Sequence, residues 1–345
     1  MDDRFRSIIS GRSRIFYFIV ARLPERWALP AGKPGIFDMM KRFSCIFFFL
    51  LTITTAWSQI FIPTFDLQGH RGARGLRPEN TIPAFLIAID SGVTTVELDL
   101  AITEDKQIVV SHEPWMSASI CLQPDGSEID AKQERSFNLF DMTYEEISAF
   151  DCGSKGNEKF PQQVKMQVSK PLLKDVIIAI EHHVKSNLYY EVDYNIEIKT
   201  SPAGDNKFHP SPGVFSDLVY NLIDQYLPLE RVVIQSFDFR VLKYWHQKYP
   251  DIRLSALIEN TRTVDANLHA LGFKPSVYSP YYKLLTKQKV DYLQKLGIRA
   301  IPWTVNETDD MKKMLEWKVD GFITDYPDRA ASLGLGIKRR DAEAR

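Results

Sequence analysis

Two histidines, His70 and His112, bracket the part of the chain richest in side chains that could do chemistry. Imidazole titrates near neutral pH, so two histidines at one site can supply an acid and a base together. Between them stand Arg71, with a planar guanidinium suited to carboxylate or phosphate oxygens, and the acidic pair of Glu97-Leu98-Asp99. Residues i and i+2 on a strand share a face, so Glu97 and Asp99 point the same way. Glu197-Ile198-Lys199 repeats that spacing with an acid and a base. A set of carboxylate oxygens suits a hard cation, Ca2+ or Mg2+, over zinc, which prefers histidine or cysteine.

These residues must be carried by rigid elements. Phe65 to His70 reads as a short strand, and Thr81 to Ser91 as a helix with Ala84, Phe85, Ala88 and Ile89 on one face. Thr94 to Leu100 is a β-branched run containing the acidic pair, and Ile108 to Ser111 is a third strand ending at His112. Polar groups at the carboxyl ends of successive strands are the mark of an α/β barrel. The rhythm continues with a helix over Leu172 to Val184, a strand over Asn195 to Ile198 and a helix over Val214 to Tyr226. Strands follow at Val232 to Gln235, Leu254 to Ile258, Val277 to Ser279, Ala300 to Trp303 and Phe322 to Thr324. Helices over Phe239 to Lys248, Lys287 to Leu296 and Asp309 to Trp317 lie between them. The expected fold is a (β/α)8 TIM barrel over residues 59–345, with an insertion after the third strand at about 114–170. That insertion has a turn at Pro124-Asp125-Gly126 and a capping box opening at Thr143-Tyr144-Glu145-Glu146. His182 and His183, near a helix end, read as structural or solvent-facing.

His70-Arg71-Gly72, Pro78-Glu79-Asn80-Thr81, Glu97-Leu98-Asp99 and His112 together resemble the glycerophosphodiester phosphodiesterase family in order and spacing. A weaker likeness at Thr324-Asp325-Tyr326-Pro327 extends it over residues 65 to 335. Glu113 departs from the pattern, which has Asp after the second histidine. The resemblance implies metal-dependent hydrolysis of a glycerophosphodiester to glycerol 3-phosphate and an alcohol. It implies Glu97, Asp99 and Glu197 as ligands of Ca2+ or Mg2+, and His70 and His112 as the acid–base pair, with the two roles unassigned. Arg71 and Lys199 would contact the phosphate, and the neighbouring glycerol hydroxyl would attack to give a cyclic intermediate that water opens.

Other residues divide between site and scaffold. Glu79 is expected to hydrogen-bond within the substrate site and Asn80 to cap the following helix. Gly72 and Gly75 should allow a tight turn. Trp303 either stacks on the glycerol or fills the barrel, and Gln235 and Asp325 are candidates for the rim. Two readings compete with the leading one: a phospholipase D-type activity on lysophospholipid or sphingomyelin, and a barrel that binds without catalysis.

Composition narrows the field. The 345 residues are 44% hydrophobic and 25% charged, as in an ordinary globular protein with one large domain or two small ones. A net charge of −1 argues against a nucleic-acid partner, which needs a basic face. Met39-Met40-Lys41-Arg42 precedes an apolar run from Phe43 to Ala56, and Ala56-Trp57-Ser58 offers small residues for cleavage before Gln59. Residues 39–58 are therefore read as a signal peptide, and residues 1–38 as an extension from an over-called start. The apolar run is too short for a membrane span. In an oxidising compartment Cys121 and Cys152 are expected to pair. The expectation is export to a periplasm or medium. N-terminal sequencing of protein from the envelope or medium should begin near Gln59; soluble cytoplasmic protein beginning at Met1 would overturn this.

Overall fold

A computed structural model describes residues 63–187 and 190–337. The expected signal peptide and the segment before it lie outside the described residues. Among the described residues nine strands form one sheet: β1 (Asp66–Gly69), β2 (Thr95–Ile102), β3 (Ile108–Val110), β4 (Asp193–Ile198), β5 (Val232–Ser236), β6 (Arg253–Ile258), β7 (Val277–Pro280), β8 (Arg299–Ala300) and β9 (Gly321–Thr324). The spatial order is β8-β7-β6-β5-β4-β2-β1-β9, with every neighbour along that path parallel. Three backbone hydrogen bonds cross the remaining seam: Asp320 N to Ala300 O at 3.0 Å, and Ile323 N to Pro302 O and Val305 N to Ile323 O, each 2.9 Å. Eight parallel strands with helices between them make the nearly closed (β/α)8 barrel.

The helices are α1 (Ile82–Asp90), α2 (Tyr144–Ser148), α3 (Leu173–Asn187), α4 (Pro212–Tyr226), α5 (Phe239–Lys248), α6 (Val264–Leu271), α7 (Lys287–Lys295), α8 (Thr308–Glu316) and α9 (Pro327–Ser332). Alternate residues of β2 and β4 (Val96, Leu98, Leu100; Tyr194, Ile196, Ile198) join Phe85, Ala88, Val176, Ile180 and Phe215 of the helices in one large apolar core. The other face of each strand is left for polar side chains inside the barrel. Helix α6 has no strong apolar period, so periodicity alone misses it. Its ends are marked by Thr263, whose side chain accepts from Ala266 N, and by Gly272 at φ 84°.

The third strand corrects the sequence reading. β3 is not a barrel stave but pairs antiparallel with the far end of β2, Leu100 opposite Val110 and Ile102 opposite Ile108. Five residues separate the two strands, enough for a hairpin, whereas a parallel crossover needs about a dozen. β2 thus runs past the barrel mouth, turns, and returns toward it. That return delivers His112 to the mouth, with Ser111 N donating to Asp99 O at 2.9 Å.

The insertion between β3 and α3 has a small core of its own. Met116, Cys121, Ile129, Leu139, Ile147, Phe150 and Cys152 pack with Ala101 and Val109 of the hairpin. The capping box is formed at Thr143 and Glu146. Cys121 and Cys152 are joined by a disulfide, and Gln163 Nε2 donates to Arg74 O at 2.7 Å, tying the insertion to the loop after β1. Closing a loop across a separation of 31 residues is worth about 3–4 kcal/mol in chain entropy. Replacing both cysteines by Ala should raise hydrogen exchange in residues 114–170 about 100-fold, with the barrel strands still protected. Exchange unchanged in that segment would show that its small core alone holds it.

Candidate active site

The register of β2 against β4 places Asp99 beside Glu197, two residues beyond Glu97 beside Asn195. One oxygen from each of Glu97, Asp99 and Glu197 lies within 4.8 Å of the others, and all three side chains are buried at the barrel mouth. Carboxylates this close repel. Burial together with Asp99 and Glu197 holds Glu97 well above the usual carboxylate range. Burial, opposed by Lys199 and reinforced by Asp99, pushes Glu197 up to about 7. Asp99 moves the other way: burial is outweighed by Lys199, His112 and Arg71 together, and it stays ionised.

Each carboxylate is oriented by a neighbour. Glu97 accepts from Arg71 N at 2.8 Å and from Gln235 Nε2 at 2.8 Å. Asn195 Nδ2 donates to Gln235 Oε1 at 2.9 Å and to Gln68 Oε1 at 2.7 Å, so a polar ladder rises through the barrel to the site. Asn80 Nδ2 donates to Asp99 Oδ2 at 2.9 Å. Lys199 Nζ lies 3.0 Å from Glu197 and 3.7 Å from Asp99. Although burial opposes its charge, Glu197 and Asp99 raise the Lys199 pKa, and it remains an ammonium.

The loop after β1 supplies the rest of one wall. Arg71 and Asn80 occupy left-handed backbone (φ 51° and 57°), which costs energy at a non-glycine residue and is tolerated best by Asn. Gly72, at φ 82°, is forced: a Cβ there would sit 2.5 Å from the Ala84 carbonyl carbon. Gly75 is needed for room rather than for the turn, because its Cβ would lie 2.4 Å from the Tyr326 ring. Arg71 Nη1 donates to Glu79 at 2.7 Å, while its buried Nε, 3.3 Å from Asp99, makes no hydrogen bond.

Both histidines stand on carboxylates. His70 Nδ1 lies 2.7 Å from Asp325 Oδ1 and His112 Nδ1 lies 2.7 Å from Glu113 Oε1. Burial and Arg74 lower His70 to about 4 despite Asp325, and burial lowers His112 despite Asp99. Both rings are neutral near pH 7. A carboxylate on Nδ1 holds the proton there and leaves Nε2 as the free acceptor. Asp325 is itself fixed by Arg74 and by Asn306 Nδ2, at 2.7 Å.

The structure redistributes several residues named from sequence. Gln235 is 1% exposed and donates to Glu97, so it positions that carboxylate instead of lining the rim. Asn80 does not cap α1, whose N-cap is Thr81, but fastens Asp99. Glu79 faces Arg71, so its reach to any substrate is through that arginine. Trp303 donates from Nε1 to Ser279 O and meets Phe237 edge-to-face at 5.4 Å, making an aromatic wall beside the mouth. Arg74, Asn195 and Asn306 were invisible as site residues in the sequence. For Glu113, adjacency to His112 was the available signal.

A cavity of about 460 Å3 opens beside His112, Glu197 and Lys199, walled by Trp115, Phe208 and Phe237. The three carboxylates fit a divalent cation: the donors are all oxygen, and burial with mutual repulsion raises Glu97 and Glu197, a cost that a cation between them would relieve.

Comparison with known proteins points one way. Residues 70–329 match the model of the glycerophosphoryl diester phosphodiesterase family. A glycerophosphodiester phosphodiesterase of Caldanaerobacter subterraneus subsp. tengcongensis is 30% identical over 266 residues, covering 76% of this chain and 95% of its own. One from Bacillus subtilis (strain 168) is 29% identical over 272 residues, 75% of this chain and 83% of its own. A crystal structure of a candidate glycerophosphoryl diester phosphodiesterase from Silicibacter pomeroyi DSS-3 superposes with a TM-score of 0.70 at 27% identity. It covers 80% of this chain and 96% of that one.

Glu197→Gln keeps an acceptor for Lys199 and offers an N–H to Asp99, so it should fold. Its affinity for Ca2+ or Mg2+ by calorimetry should fall at least about tenfold. With one fewer repelling charge, the metal-free protein should melt about 2–4 °C higher, equivalent to about 1 kcal/mol. Because Glu97 and Glu197 are protonated more readily than usual, wild-type affinity should weaken as pH falls through about 7. Unchanged affinity in the variant would remove Glu197 from the ligand set.

Proposed function

The chain belongs to the glycerophosphoryl diester phosphodiesterase family, and from that premise we propose that it hydrolyses glycerophosphodiesters with His70 as base and His112 as acid. The observation that carries the reading is the pair of imidazoles, each backed by a carboxylate and both beside three convergent carboxylates. A divalent cation, Ca2+ or Mg2+, held by Glu97, Asp99 and Glu197 would supply positive charge opposite a phosphoryl oxygen.

His70 takes the proton of the attacking hydroxyl at Nε2, and Asp325, held ionised, stabilises the imidazolium that forms. Arg74 disfavours a resting proton on His70, which keeps it a base. His112 acts as acid only in its imidazolium form, which Asp99 and Glu113 favour against burial; it takes that proton from solvent before bond cleavage and gives it from Nε2 to the leaving alkoxide. Arg71, paired with Glu79 and Asp99, and Lys199 keep their charges, so both can stabilise charge growing on the phosphate. Attack by the adjacent glycerol hydroxyl, with water opening a cyclic product, uses the same two histidines in reversed roles.

The aromatic cavity beside Lys199 favours a second substrate within the same chemistry, a lysophospholipid whose chain would lie along Trp115, Phe208 and Phe237.

General acid–base assistance is worth about 100- to 10,000-fold, so His70→Ala and His112→Ala should each lose that much turnover of glycerophosphocholine. Metal affinity should persist in both, since neither histidine is a proposed ligand. A nitrophenyl diester, whose leaving group needs no proton, should restore His112→Ala and leave His70→Ala slow. Lysophosphatidylcholine in the same assay separates the two substrates. Near-normal turnover by both variants would defeat the catalytic reading, and rescue of His70→Ala instead would exchange the roles.

A further inference from the structure

A second, smaller cavity of about 170 Å3 meets the first at His112 and Glu113. It lies between the loop after β1 and the insertion, and its walls include Arg71, Arg74, Ser117, Ser119, Lys159 and Lys170. Four basic side chains line it against two acidic ones, Glu79 and Glu113. Both acids are already engaged, Glu79 by Arg71 and Glu113 by His112.

Lys170 is the unexplained group. It is 6% exposed, and its Nζ donates to Ser111 Oγ at 2.7 Å; among the described residues no carboxylate lies within ion-pairing distance of it. The Ser111 hydroxyl gives its own hydrogen to Glu113 O at 2.6 Å, so it meets the ammonium as an acceptor only. Burial lowers the Lys170 pKa to about 8, which leaves it charged at neutral pH. A buried charge is ordinarily paired, and one neutral hydroxyl is a poor substitute for a counterion. The mechanism above gives Lys170 no task. The hydroxyls of Ser117 and Ser119, 2.8 Å apart, add donors to the same cavity, and exposed Lys159 adds a further charge at its edge.

A phosphodiester seated at the acidic cluster has two arms, and the two cavities on either side of His112 are of opposite character. We propose that the small cavity is an anion subsite built on Lys170, which selects diesters whose alcohol carries a carboxylate or a second phosphate. This rests on the phosphodiesterase reading. The glycerol or an apolar chain is left to the aromatic cavity. The cavity has room for several waters, at about 30 Å3 each, or for one such charged group in their place.

The test compares kcat/KM across four diesters with purified enzyme in Mg2+ or Ca2+. Glycerophosphoglycolate carries a carboxylate with no ammonium and bis(glycerophospho)glycerol a second phosphate; glycerophosphoglycerol is neutral and glycerophosphocholine cationic in its alcohol. Wild type should favour at least one anionic alcohol over the neutral one by tenfold or more, and whichever is favoured identifies the anion. In Lys170→Met that ratio should fall to near one, and Lys170→Arg should retain most of it. Lys159→Glu changes an exposed residue, so it should fold normally and lower the ratio severalfold, which keeps the proposal open to refutation if Lys170→Met is unstable. A wild-type ratio at or below one overturns the subsite, as does a ratio unmoved by Lys159→Glu and by folded Lys170→Met. If wild type cleaves none of the four, the catalytic reading fails and the subsite falls with it.

Discussion

Three carboxylates within 4.8 Å, buried at the end of a parallel barrel, cannot all ionise without help. Much of the surrounding structure answers that constraint. Lys199 and Arg71 lend positive charge to Asp99, the Arg71 amide and Gln235 hold Glu97, and Asn80 fixes Asp99 by its amide. The ladder of Gln68, Asn195 and Gln235 puts amides where a barrel interior ordinarily packs branched apolar side chains. An apolar interior would be simpler to fold. A buried carboxylate needs a donor, and these amides supply one to Glu97 and hold it in place. The strain at Arg71 and Asn80 belongs to the same arrangement, since their left-handed backbone turns an N–H and an amide onto the acids.

The two histidine–carboxylate pairs reach the cluster by different routes. His70 leaves β1 and meets Asp325, which follows β9, so the pair spans neighbouring strands from opposite ends of the chain. Forming it requires β9 to lie beside β1, and the geometry of this dyad is therefore coupled to completion of the barrel. His112 has its partner in the next residue, on a hairpin that leans back over the mouth. One dyad is set by long-range topology and the other by local sequence. This accounts for the difference in surroundings: Asp325 is buried in a web of Arg74, Asn306 and His70, while Glu113 lies half-exposed at the junction of two cavities.

The insertion converts a barrel mouth into a pair of chambers. Its disulfide and small apolar core let a segment with little regular structure keep a fixed shape. Trp115 packs edge-to-face on Phe208, and Asn138 Nδ2 donates to Lys207 O, so one flank of the insertion joins the loop after β4 around the aromatic chamber. Its other flank, carrying Lys159 and Lys170, closes over the loop after β1. Differences in substrate choice can then arise in the insertion while the residues around the phosphate stay as they are.

By itself the sequence determined whatever depends on spacing within one element or on a cluster of residue types. The β–α rhythm led to a barrel. The i, i+2 spacing put Glu97 with Asp99 and Glu197 with Lys199, and Thr143 to Glu146 announced its capping box. Only the tertiary structure decided relations across elements. That β3 runs antiparallel follows from how far β2 overshoots the mouth, which residue types do not reveal, although the five-residue link already excluded a crossover. Gln235 reads as a rim residue until the register of β5 against β4 sets it beside Glu197, with its amide on Glu97. Asn80 reads as a cap until the fold of its loop turns it onto Asp99. The pairing of His70 with Asp325 and the burial of Lys170 against Ser111 likewise join residues far apart in the chain. A local pattern fixes which face a side chain takes; what waits across that face is set by packing, and packing is a property of the closed barrel.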